Sequence, residues 1–419
     1  MKRYPKYKDS GISWLGQIPE HWEVRRIKYI FKELNERSVS GLETPLSLSK
    51  EYGIIPSSEK TNRTMESESY VGTKVVHIGN IVFNRFKARL FAKSGYEGVV
   101  SPDYAIYHCF EKANSEYMVH LFSTELYRDA FNRKASGIGD GFSRLYTDDL
   151  FAMYSIFPPL AEQQKIVDFL DSKISKIDSY ISEKEKEVKL LTELKQSQIA
   201  QVVTKGINPN VPMKDSGISW IGQIPEHWEV KRIASLFTGK VETNKDFEHK
   251  RAFKFNYGTI VPKNEIGDIE EYRDTYVKYS ILQKDDIVLN GLNLNYDFVS
   301  QRIAIAPHAG IITSAYVVLR PRITTYTDYY LYVLKTMDNM KMFHSMGTGI
   351  RLTLSFDELK KQMLPIPPLE EQKAIVEYIN TKCQSIDSMI SNLESEIAYL
   401  KEYKQSLIAD AVTGAINVQ

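Results

Sequence analysis

A twenty-residue run near the start of the chain is written again, almost unchanged, 206 residues later, and no other feature constrains the fold as tightly. Positions 8–27 read KDSGISWLGQIPEHWEVRRI and positions 214–233 read KDSGISWIGQIPEHWEVKRI, differing only at Leu15/Ile221 and Arg25/Lys231. A second pair recurs at an offset of 209: FPPLAEQQKIVDFL from Phe157 and IPPLEEQKAIVEYI from Ile366. These runs close on VTKGIN at 203–208 and VTGAIN at 412–417. The period is far too long for a stacked solenoid. The chain is a tandem duplication, each copy carrying a short head, a divergent middle and a shared tail. At 419 residues there is room for two or more domains.

Both tails carry a helical period. Val167, Leu170, Ile174, Ile177, Ile181, Lys184, Val188, Leu191, Lys195, Gln198 and Val202 step by three and four. Val376, Ile379, Cys383, Ile386, Ile390, Leu393, Ile397, Leu400, Lys404, Leu407 and Ala411 repeat the pattern. Such spacing predicts two long helices with a coiled-coil seam. Pro158-Pro159 and Pro367-Pro368 are start signals, and Gly206 and Gly414 are stop signals. Matched length and register favour antiparallel pairing of the two helices; separate packing of each on its own domain is the alternative.

The middles are rich in Tyr, Phe, Val, Ile and Gly, with short strand-like runs between turn signals. GNIVFN at 79–84 aligns with DDIVLN at 285–290, GVVSPDY at 98–104 with GIITSAY at 310–316, and SGI at 136–138 with TGI at 348–350. The fold expected is α+β: two globular domains joined by two long antiparallel helices, with an internal pseudo-twofold. Expected boundaries are 1–156 and 209–365 for each head with its middle, and 157–208 and 366–419 for the helices.

Chemistry of the catalytic kind is sparse. There is no GxxxxGK[ST] phosphate loop, no HExxH and no GxSxG. The prolines of FPPL and IPPL lack the polar residue that precedes them in amino-methyltransferases, and they open helices. Two cysteines, Cys109 and Cys383, exclude a disulfide framework, and the eight histidines have no metal-ligand spacing, so neither metal nor cofactor is expected. His21 and His227 recur with the head and read as structural. No run approaches a membrane span and the start has no apolar signal region, which points to a cytoplasmic protein.

Recognition chemistry is better represented. In NRFKARLF, Arg85, Lys87 and Arg89 alternate with apolar residues; on a strand all three cations would share one face and could meet phosphates. A charged edge strand that resists aggregation is the plainer alternative. In GLNLNYDFVSQR, the side chains of Asn293, Asn295, Tyr296, Gln301 and Arg302 could read base edges, since carboxamides match adenine and guanidinium matches guanine; an ordinary polar loop is the alternative. Glycine-bearing loops near the end of each middle lead to Arg144 and Arg351, where glycine would let the backbone approach a phosphate. An ordinary turn fits equally.

The order head–variable–tail, twice, together with the PPLAEQQKIVDFL and PPLEEQKAIVEYI helix openings and the GxxWxGxIPxHW head, resembles the specificity subunits of type I restriction–modification enzymes. The resemblance covers essentially the whole chain. It implies two target-recognition domains, each reading one half of a split double-stranded DNA sequence, held apart by two helices. It implies no catalysis in this chain, with two methyltransferase subunits and motor-nuclease restriction subunits as partners. Bulk charge is the one dissent: the net charge is +1, with 16 basic and 16 acidic residues over 28–156 and 17 and 15 over 237–365. Weak binding to DNA alone follows. A protein-interaction scaffold with two duplicated modules, or an enzyme with an unfamiliar site, are the competing readings.

Overall fold

The computed structural model describes residues 2–49, 52–60, 69–86, 90–137, 143–264, 268–296, 298 and 301–418. The chain divides into two units, 1–185 with 395–419, and 186–394. Each division falls inside a long helix, so each unit owns the start of one helix and the end of the other.

In the first unit a four-stranded antiparallel sheet is built from β1 (Phe31–Leu34), β2 (Ile81–Asn84), β3 (Phe91–Lys93) and β4 (Tyr104–Cys109), in the order β1-β4-β2-β3. In the second, β5 (Phe237–Thr238), β6 (Ile287–Leu289), β7 (Ile303–Ile305) and β8 (Val317–Pro321) take the equivalent order β5-β8-β6-β7. The aligned motifs GNIVFN and DDIVLN therefore occupy equivalent strands, β2 and β6. Two-stranded ribbons repeat as well: Lys74–Val76 pairs with Gly98–Val100 and Ser280–Leu282 with Gly310–Ile312. A helix follows each sheet, α1 (Ser115–Phe122) and α3 (Thr327–Asn339).

The long helices are α2 (Leu160–Lys205) and α4 (Leu369–Thr413). They begin directly after the Pro-Pro pairs. They end at Gly206 (φ 75°) and Gly414 (φ 79°), left-handed positions that favour glycine. Every expected seam position is buried or half-buried. Pairing is antiparallel in the first unit, where Asp178 meets Lys404 at 2.7 Å and Lys184 meets Glu396 at 3.5 Å. In the second unit the duplicate pair, Lys195 and Asp387, closes at 2.6 Å. These bridges are half exposed, so each adds at most about 1 kcal/mol; burying the apolar seam supplies most of the helix stability.

Each head is an anchor. Trp22 and Trp228 are fully buried, and the strand after each tryptophan pairs with the strand before the Pro-Pro: Glu23–Arg26 with Tyr154–Phe157, Glu229–Arg232 with Met363–Ile366. His21 bonds Glu162 at 2.7 Å, and His227 bonds Glu371 at 2.8 Å, so both histidines tie a head to a helix start. The Tyr117 hydroxyl donates to the Val412 carbonyl and the Tyr329 hydroxyl to the Val203 carbonyl, both at 2.8 Å. One set of contacts is thus made twice, with the last turns of the opposite copy's helix completing each unit.

Candidate nucleic-acid interface

In the first unit, β2 ends at Asn84, whose side chain accepts from the Phe86 amide at 2.9 Å and turns the chain out of the sheet. Arg85 therefore lies beyond the strand. Its guanidinium turns inward, donating to Glu33 Oε1 at 2.6 Å, with its side chain only 20% exposed. Lys74 shares the same carboxylate at 3.8 Å, and burial, with Arg85 nearby, lowers its ammonium pKa. A cation neutralised internally is a weak phosphate ligand. Lys87 and Arg89 lie outside the described residues.

Arg144 has the opposite character. The loop that carries it is stitched to β2 through the Leu145 amide and the Arg85 carbonyl at 3.0 Å, and Ser136 and Arg144 exchange both backbone bonds. The Arg144 guanidinium lies 4.4 Å from the centroid of Phe86 and 3.2 Å from Asp103 Oδ1, with the side chain 40% exposed. The stacked ring and the carboxylate hold its plane while leaving donors accessible. Phe86 and Asp103, which pattern reading did not single out, position this arginine.

In the second unit Arg302 is a correction. It is 2% exposed and donates to the carbonyls of Asn290 (3.1 Å) and Leu292 (2.8 Å) while its amide donates to Asp338 (2.7 Å). Burial pushes the Asp338 carboxyl above the usual range. Arg302 is therefore a loop brace and cannot reach a base edge. What it braces is the loop carrying Asn293, Asn295 and Tyr296. Asn293 is exposed in the left-handed region (φ 52°), Tyr296 is 75% exposed, and Asn295 is half-buried with its amide donating to the Ile350 carbonyl at 3.3 Å. Gln301 donates to Asn339 at 3.0 Å. Arg351 is exposed in a turn closed by both backbone bonds between Thr348 and Thr353 (3.0 and 2.8 Å). The Leu294 amide reaches the Leu352 carbonyl (3.0 Å) and the Leu354 amide the Gly291 carbonyl (2.9 Å), so the two loops form one surface.

Both units thus bring together the two loops that the sequence placed far apart. Among the described residues, no three His, Cys, Asp or Glu side chains are grouped to hold a metal ion, and no helix is long and apolar enough to cross a membrane. Burial pushes the Cys109 thiol up to about 12 and raises Cys383, so neither supplies a thiolate near neutrality.

A doubled frame that presents two unlike, braced loop surfaces defines a two-headed recognition protein. The family model for the type I restriction modification DNA specificity domain matches this chain twice, at residues 19–190 and 225–398. The chain belongs to that family: it is a type I specificity subunit, the DNA-recognition and non-catalytic component of such a system. It is 22% identical to the putative type I restriction enzyme MjaX specificity subunit of Methanocaldococcus jannaschii, over 97% of this chain and 96% of that protein. It is 24% identical to the EcoBI specificity subunit of Escherichia coli, over 74% of this chain and 67% of that one. The fold matches a chain in a structure that addresses complex assembly and conformational transition of the type I R-M system (TM-score 0.68, 17% identity, 95% of this chain and 99% of that one). It also matches the HsdS subunit from Thermoanaerobacter tengcongensis (TM-score 0.50, 17% identity, 95% and 98%).

Proposed function

We propose that each unit reads one half of a split double-stranded DNA target, the first through the surface around Arg144 and the second through Asn293, Asn295, Tyr296 and Arg351. The observation that carries this reading is the contrast between a frame whose main ties recur in both units and two loop surfaces that share little chemistry. Two different readers on one frame suit a target whose halves differ. The paired long helices act as the spacer that sets the gap between half-sites. Two methyltransferase subunits dock on the repeated parts, because duplicated surfaces offer two equivalent sites, and motor-nuclease subunits join them in the cytoplasm. The near-neutral charge gives the chain little affinity for DNA alone, so partners supply much of the phosphate contact.

The test is methylation mapping of the host genome with and without this chain. A two-part motif that disappears with the chain is expected. Methylation that persists unchanged, or a single unbroken motif, would overturn the reading. Tight binding to a protein with no effect on DNA methylation would favour the interaction scaffold instead.

A further inference from the structure

Ile350 is the most exposed large hydrophobic residue among those described, at 96%. A lone exposed isoleucine on a loose loop would mean little. This one sits at the tip of a turn closed by two backbone bonds, between Gly349 (φ 78°) and Leu352, whose φ of 40° is costly for a side-chain-bearing residue. The turn is also clamped to its neighbour. Gly291 packs on the Leu354 carbonyl with no room for a Cβ, Gly347 packs tightly on Leu294 and Leu352, and the Ile350 carbonyl accepts from Asn295. The apolar tip is thus held rigid in water. The clamped loop also exposes Tyr296, and Phe298 is exposed as well, stacked on His344 with ring centroids 4.7 Å apart. Because Arg302 is turned inward and the Asn295 amide is spent on the Ile350 carbonyl, the polar side chains left exposed on the two clamped loops are Asn293, Tyr296 and Arg351.

From this juxtaposition we propose that Ile350 is a specificity-determining residue of the second reader, packing its side chain on the 5-methyl group of a thymine. The proposal rests on the DNA-reading function above. In the major groove that methyl is the one apolar feature of the base edges, and the paired adenine offers the donor and acceptor that a carboxamide matches. A rigid isoleucine on a turn clamped to the loop that exposes the Asn293 carboxamide is therefore a surface for an A·T pair.

The experiment uses the full chain in complex with its methyltransferase partner, on duplexes carrying the mapped motif. Thymines of the second half-site are replaced by deoxyuridine, which keeps the pairing edge and removes the methyl. Methylation efficiency of the native complex should fall about fourfold, the factor for one buried methyl group. The Ile350→Ala complex should be insensitive to that replacement and relaxed at one A·T position of the second half-site. For thymines of the first half-site, native and variant should respond alike. A second half-site without an A·T pair, equal sensitivity of native and variant, or an unchanged motif in Ile350→Ala would overturn the proposal. Loss of methylation by Ile350→Ala with no deoxyuridine effect would overturn it too, pointing to insertion between base steps. A native complex that fails to follow any two-part motif would remove the underlying function as well, so the two failures are told apart.

Discussion

In the first unit an arginine lies open to solvent, stacked 4.4 Å from Phe86 and tethered to Asp103. In the second, the arginine that opens β7's approach, Arg302, is buried and spends its donors on carbonyls of its own loop. The surface left outside is asparagine, tyrosine, isoleucine and a single arginine, Arg351. Around these unlike faces the frame is the same: the histidine–glutamate tie, the buried tryptophan and the tyrosine-to-carbonyl bond recur in each unit. Duplication has kept the residues that set the position of a face and released those that form it.

The frame itself differs in one respect. In the second unit the head follows α2 along the chain, whereas in the first the head meets the end of α4 only through contacts: the Asn417 amide donates to the Lys2 carbonyl at 2.9 Å, and the Tyr7 hydroxyl to the Gly414 carbonyl at 3.0 Å. Tyr4 adds a bond to Glu162 at 2.6 Å, and that carboxylate is 5% exposed against 28% for Glu371. Identical motif residues thus sit in unequal surroundings.

The largest expected effect lies in what the units share. Trp22→Ala and Trp228→Ala should each destabilise the chain by about 3–5 kcal/mol, as measured by urea unfolding. A cost to only one of them would break the equivalence of the frames. Next, Arg302→Met should cost roughly 1–3 kcal/mol because it leaves the Asn290 and Leu292 carbonyls without their donor. A variant of native stability with altered base preference would return Arg302 to the reading surface.

Arg144→Ala should leave the melting temperature nearly unchanged and weaken or relax the first half-site only, by about 1–3 kcal/mol if the guanidinium grips a base. Methylation mapping and binding at two salt concentrations distinguish that outcome from a uniform loss due to a phosphate contact. The smallest effect sharpens the comparison of the ties. His21→Ala should cost about 1 kcal/mol more than His227→Ala, because it strips a partner from the more deeply buried carboxylate. Equal costs would mean that Tyr4 alone satisfies Glu162.

The helices were legible in the sequence, since a period of three and four maps directly onto which side chains a partner covers, and the Pro-Pro and glycine signals act locally. The repeat likewise marked both histidines as structural. The faces were not. Arg85 reads as part of an alternating strand, but Asn84 accepts the Phe86 amide and ends β2 before it, a choice visible only once that side chain is placed. The burial of Arg302 depends on the Asn290 and Leu292 carbonyls that accept its donors, and no spacing rule reports that. Ile350 was passed over for Arg351 beside it because charge is the louder signal in a sequence.

On the proposed function, each middle reads its own half-site on an interchangeable frame. Replacing positions 237–365 with a second copy of positions 28–156 tests it most directly, with folding of the chimera checked by helix content and methylation mapped in cells that carry the partner. The expected result is a motif made of the first half-site twice, with the second half-site gone. A folded, methylating chimera that still requires the original second half-site would contradict it.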